Sequence, residues 1–278
     1  MKGRERMKEG YWVIRSYEAG PIGEKTKFFV PGDRPTGKLR RKDRDAVRKQ
    51  EQNAHNAAKT LARLLNENFI AGDLLMGLDY SEEGLEKVKA WGRANGLPVD
   101  SEDEGQSRDA IWESAAHQQE LCLRRVSRRL KKQGIELKAA VITSDMDGQT
   151  EEAVRVHHHL VVPAGVQEAF LEAWEKYGMG GVSWTPLSEI QEDRSGIAEY
   201  FIRQVRRIPD AKKYRTTRNL KRPQPKDRIA LSDAELRLPA GGVLLFRQEF
   251  KPGRPQYIRY RLPRKKHPGS GTDSAIPN

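Results

Sequence analysis

The apolar positions of the chain fall into short runs whose spacing switches between strand and helix periods. Tyr11-Trp12-Val13-Ile14 and Lys27-Phe28-Phe29-Val30 flank Gly20-Pro21-Ile22-Gly23, which predicts two strands joined by a turn-rich loop. Over residues 44–68, Ala54, Ala58, Leu61, Leu64 and Leu65 recur at three- and four-residue spacing, the mark of an amphipathic helix. Residues 74–80 read as a buried strand and 82–95 as a helix ending near Gly96. The acid-rich stretch 97–108, with Pro98, predicts a solvated loop, and 111–132 a second long helix that stops at Gly134. Residues 137–143 and 153–162 flank the turn signal Asp147-Gly148, so they are expected to pair as an antiparallel hairpin. A helix over 167–177, a short strand over 180–184 and a helix over 196–207, with Ile197, Phe201, Ile202 and Val205 inward, complete the ordered pattern. After Pro209 the chain is rich in Pro and Arg, with a possible hairpin from 243–250 and 256–262 before a disordered tail.

This order predicts an α+β fold, a central antiparallel sheet with helices on one face and the other face free to carry a site. Three segments follow: an N-terminal hairpin and basic linker over 1–45, the sheet-and-helix domain over 46–208, and a basic extension over 209–278.

Charge then narrows the class of partner. The formal net charge is +12, and from Phe201 onward there are 20 Lys and Arg against 6 Asp and Glu, leaving the first 200 residues slightly acidic. A positive field concentrated at one end points to a polyanion, most often nucleic acid; a solvated tail or an anionic membrane surface are the alternatives. The six cations of 124–132 could contact phosphate or form a solvated helix face. The lone cysteine, Cys122, can form no internal disulfide and suits a reducing cytoplasm. No apolar run is long enough for a membrane span, and Met1 to Lys8 lacks the apolar stretch of a signal peptide, so a cytoplasmic protein is expected.

The candidate chemistry lies in His157-His158-His159, which holds three of the six histidines. On a strand, His157 and His159 project from one face while His158 joins Val156, Leu160 and Val162 on the other. Two neutral imidazoles on a rigid strand are half of a metal site; a histidine cluster on an exposed edge is the bland alternative. The hairpin is expected to bring Asp145 toward them. On the helix over 196–207, Tyr200 and Arg203 share a face one turn apart. A phenol becomes a nucleophile only if its phenolate is stabilised or its proton is taken up, and Arg203 could do the first or clamp a phosphate.

These residues also resemble a known family. His157-His158-His159 looks like the paired-histidine motif of the HUH endonuclease superfamily, and Tyr200 to Arg203 resembles its single-tyrosine motif, where lysine usually holds the fourth position. Asn68-Phe69 and the strand at 73–80 are similar to the first motif of rolling-circle replication proteins of the filamentous-phage gene II type. Thr217-Arg218-Asn219-Leu220-Lys221-Arg222-Pro223 resembles that group's Ser-Arg-Asn-Leu-Lys-Lys-Pro signature. The resemblance implies an HUH endonuclease-like fold and a replication initiator that nicks one DNA strand through a 5′-phosphotyrosine and later rejoins the ends. It implies Mg²⁺ or Mn²⁺ held by His157, His159 and Asp145, the last where glutamate is common, with Tyr200 as nucleophile and Arg203 in the lysine position. The partners implied are single-stranded origin DNA, contacted by Arg207, Arg215, Arg218, Asn219, Lys221 and Arg222, together with a host helicase and polymerase.

Two other readings stay open. A DNA-binding regulator on a decayed nuclease scaffold would need neither Tyr200 nor metal, and a relaxase or transposase would use the same chemistry on other DNA. No P-loop sequence is present, so unwinding would come from a host helicase. Tyr257 and Tyr260 are alternative nucleophiles that rank below Tyr200.

Overall fold

The computed structural model describes residues 10–32, 46–150, 152–205, 213–230 and 232–263. In chain order its elements are β1 (Tyr11–Ala19), β2 (Ile22–Val30), α1 (Ala46–Asn68), β3 (Leu74–Asp79), α2 (Glu82–Ala94), α3 (Glu104–Lys132), β4 (Ala140–Met146) and β5 (Ala153–Val162). There follow α4 (Gln167–Trp174) with a 3₁₀ turn at Glu175–Tyr177, β6 (Val182–Pro186), α5 (Ser195–Gln204), β7 (Arg215–Thr216), β8 (Lys226–Ala230), β9 (Val243–Arg247) and β10 (Gln256–Arg261). No described helix is long and apolar enough to cross a membrane.

The chain divides into two compact units, one made of residues 1–38 and 224–278, the other of 39–223. The N-terminal hairpin and the C-terminal segment, which read as separate pieces, therefore share one unit, an antiparallel sheet of order β8-β1-β2-β10-β9. A two-stranded hairpin buries too little to be stable alone, and β8 and β10 complete it on its two sides. Ile14, Leu236, Ile258 and Tyr260 form its small core.

The larger unit is built on a second antiparallel sheet, of order β6-β3-β5-β4-β7. The expected pairing of β4 with β5 forms, and β5 is central, with β3 on its other side. Helices cover both faces of this sheet, which corrects the expectation of one free face. Leu74, Met76, Leu78, Val141, Val156, Leu160 and Val162 pack beneath α3 and α4, around the fully buried Phe170 and Trp174. On the opposite face Ala140, Ile142 and Val161 pack with Leu61, Leu64 and Leu65 of α1 and Ala198, Phe201 and Ile202 of α5. The face of β5 that carries His157 and His159 continues to Val161, so it is apolar at one end and needs cover there. A fully buried side chain such as Phe201 contributes about 1.5–3 kcal/mol by leaving water, which fixes α5 against the sheet.

Two boundaries differ from the pattern for local reasons. The stretch 97–108 is not wholly a loop: Asp103 caps α3, its carboxylate accepting from the Gln106 N–H at 3.0 Å, so the acids there include a helix start. Leu137 to Ala139 lie outside β4 and are held by the chain after β7, with Thr217 N donating to Ala139 O at 2.9 Å.

Candidate active site

The register of β5 places His157 and His159 on the face that meets α5. His157 Nδ1 lies 2.9 Å from the Arg155 carbonyl oxygen, which only accepts, so Nδ1 donates to it and Nε2 is the nitrogen turned to the site. That Nε2 is 3.2 Å from His159 Nε2 and 3.3 Å from Gln204 Oε1. Burial, and then the neighbouring His157, pull the His159 pKa down to about 4, so its ring is neutral near pH 7, as a ligand must be.

Two ring nitrogens and the side-chain amide of Gln204, whose Nε2 has no hydrogen-bond partner among the described residues, thus lie together around His157 Nε2. Their separations match neighbouring corners of a coordination shell with bonds of ~2.1 Å, and the donor set suits a divalent ion of the Mg²⁺, Mn²⁺ or Zn²⁺ kind. The chemistry of these groups is compatible with a divalent metal, which His157, His159 and Gln204 would hold. Among the described residues no third histidine, cysteine or carboxylate joins the pair. Gln204 was not singled out in the sequence; its signal there was its place one turn after Tyr200, which puts both on one helix face.

Tyr200 lies beside these groups. Its ring centroid is 5.5 Å from that of His159 at an interplanar angle of 59°. The ring also packs on Gly148 in the β4–β5 turn, where a Cβ would collide with the Tyr200 ring and come within 2.8 Å of Gln204 Nε2. The glycine is needed there for close approach, not for an unusual backbone angle. Ser144, fully buried, donates its hydroxyl to the Gln204 carbonyl at 3.1 Å and accepts from the Met146 N–H at 3.0 Å, which anchors the end of α5 to β4. Arg203, one turn after Tyr200, is exposed to solvent.

Asp145 does not join the site. It sits on the α3 face of the sheet, where its carboxylate pairs with Arg108 of α3 at 2.6 Å. The register shift between Ser144 and Met146 accompanies this placement. The expected convergence of Asp145 with the histidines is thereby corrected: the hairpin brings the backbone near but directs this side chain to the reverse face.

His158 is a fully buried core residue, with Tyr80 Oη 2.8 Å from Nε2 and Thr143 Oγ1 3.0 Å from Nδ1. Burial holds its pKa well below the usual imidazole value. Cys122 is likewise buried, its thiol pushed up to about 12, which leaves it unreactive. Tyr257 and Tyr260 are buried in the smaller unit.

Of the basic residues expected to contact DNA, Arg218, Lys221 and Arg222 are exposed. Arg215 reaches Glu120 of α3 at 3.3 Å. Asn219 donates to the Leu137 carbonyl at 3.2 Å and so ties its loop to the sheet. Arg207 lies outside the described residues. Asn68 donates to the Lys221 carbonyl and accepts from the Lys221 N–H, both at 2.8 Å, so the Asn68-Phe69 motif and the loop at 217–223 are physically joined.

No protein-family model matches this sequence, no curated protein matches it, and no solved structure matches it.

Proposed function

We propose that this protein is a metal-dependent DNA nicking and joining endonuclease of the HUH type, acting in rolling-circle replication on single-stranded origin DNA. The observation that supports the reading is the packing of the Tyr200 ring against His159, whose ring nitrogen neighbours His157 and, through it, Gln204. A bound Mg²⁺ or Mn²⁺ would offset negative charge on the scissile phosphate and orient it. Tyr200 Oη forms the bond to phosphorus and the bond to the 3′ oxygen breaks; the phenol loses a proton and the departing 3′-hydroxyl gains one. The 5′ end stays on Tyr200, and reversal by a 3′-hydroxyl restores the phosphodiester. Gly148 and Phe201 fix the plane of the Tyr200 ring, and Ser144 fixes the turn of α5 that bears Gln204. Arg203, permanently charged, serves to hold phosphate and is a poor proton carrier.

Incubation with Mn²⁺ and single-stranded DNA from the protein's own genetic neighbourhood should give a strand covalently attached through its 5′ end. A second reading, a DNA-binding regulator on the same scaffold, draws on the engagement of Asp145 with Arg108. It is distinguished by DNA binding without any covalent product.

A further inference from the structure

Four arginines in the second half of α3 fall into two pairs. Arg129 pairs with Glu172, and Arg125 lies 3.9 Å from the Tyr177 ring centroid, so both are directed toward α4 and its 3₁₀ turn. Arg124 and Arg128, one turn apart, line an open groove of about 330 Å³ whose floor includes Leu123 and Leu137 and whose other walls are Glu120, Ser127 and Thr217. The Glu120 carboxylate lies 2.7 Å from Arg124 and 3.3 Å from Arg215. Glu120, and Glu136 beside Asn219, stand against Arg124, Arg128, Arg215 and the exposed Arg218, so the groove and its rim keep a net positive charge.

The chain leaving Arg215 carries this charge around the β7 edge of the sheet. Thr217 and Asn219 hold it to Ala139 and Leu137 on the way, and Asn68 then clamps Lys221 at the end of α1. Leu220 and Tyr214 pack in the core under α1 and α5, the face that also bears Tyr200. Exposed Arg218, Lys221 and Arg222 therefore continue the positive band from the α3 groove onto the catalytic face.

We infer that the α3 groove, through Arg124 and Arg128, binds the phosphodiester backbone of single-stranded DNA on the reverse face of the sheet, with the 215–222 segment guiding the strand round the edge. The spacing of the two arginines, about 5–6 Å between neighbouring side chains on a helix, suits separate phosphate contacts. The inference rests on DNA being the substrate, but not on Tyr200 cutting it.

The test is binding of a fluorescent 30-nucleotide oligothymidylate in excess chelator, from 50 to 200 mM salt, for wild type and for Arg124→Gln/Arg128→Gln. Each phosphate contact contributes about 0.7 to the slope of log affinity against log salt for a single strand. The double variant should lose about 1.4 of that slope, so its affinity should fall about sevenfold less than wild type's over this range. Arg124→Lys/Arg128→Lys should keep the wild-type slope. If circular dichroism shows the glutamine pair misfolded, Arg128→Gln alone should lose about 0.7. An unchanged slope in the folded glutamine variant, or wild type that binds no DNA, overturns the inference. Binding with the expected slope loss but no covalent product in Mn²⁺ overturns the nuclease reading alone.

Discussion

Gly148 lies against the ring of Tyr200, close enough that any Cβ at this position would occupy the space of the ring. The β4–β5 turn thereby sets the position of a side chain on α5, and a Cβ there would also crowd the amide of Gln204.

Gly148→Ala should therefore shift Tyr200 and slow cleavage, while leaving the basic surfaces untouched. Displacements near 1 Å cost up to about 100-fold in rate where a reacting group must be aligned. The expected outcome is a single-turnover rate lowered about ten- to a hundredfold with DNA affinity within about twofold of wild type. Equal loss of both would show that the turn supports the whole unit and not the tyrosine.

Gln204→Ala should weaken Mn²⁺ binding, measured by calorimetry, about tenfold or more, in the range typical for losing a supporting metal interaction. Asp145→Ala should leave Mn²⁺ affinity unchanged and lower stability by roughly 1–3 kcal/mol, because Arg108 loses its carboxylate partner in a partly buried site and keeps the backbone carbonyl of residue 145. The opposite pattern would return Asp145 to the metal and remove Gln204.

In chelated buffer, acid should destabilise the protein from near pH 6.5 downward. His158 and His159 are buried with depressed pKa values, His159 to about 4. Between those values and 6.5 the unfolded chain binds more protons than the folded one, so stability falls as pH falls through this window. His159 alone would contribute about 3 kcal/mol across it. His158→Leu would remove part of this dependence and also leave Tyr80 and Thr143 without their partner, at roughly 1–3 kcal/mol at neutral pH. Chemical denaturation at pH 7.5 and 5.0 measures both effects.

Asn68→Ala should lower stability by about 1–3 kcal/mol, because two hydrogen bonds to the Lys221 backbone are lost. It should also weaken DNA binding through release of the 217–223 loop. Full retention of DNA affinity would separate that loop from the DNA surface.

The periodicity of the chain made most elements of the larger unit readable. β5 was legible because its apolar and imidazole positions alternate, and α5 because Phe201, Ile202 and Val205 keep a helical spacing. The cover on the second sheet face was hidden because His157 and His159 interrupt an apolar surface completed by residues from β4 and α1. The union of the N-terminal hairpin with β8, β9 and β10 depends on pairing between distant segments, which local pattern does not encode. Asp145 was misplaced because its side depends on the register of β4 against β5: Ser144 lies opposite His157, so the next side chain points to the reverse face, and the residue types do not encode that register. Gln204 was overlooked because an amide on a helix commonly faces solvent, and only the fold shows it aimed at His157.

The most direct test of the account is a denaturing gel of wild type and Tyr200→Phe after incubation with Mn²⁺ and single-stranded DNA from the protein's own genetic neighbourhood. The account predicts a strand covalently attached at its 5′ end to wild type and no such product with Tyr200→Phe, although both proteins bind the DNA. An adduct that persists in Tyr200→Phe, or DNA bound by wild type without any adduct, would contradict it.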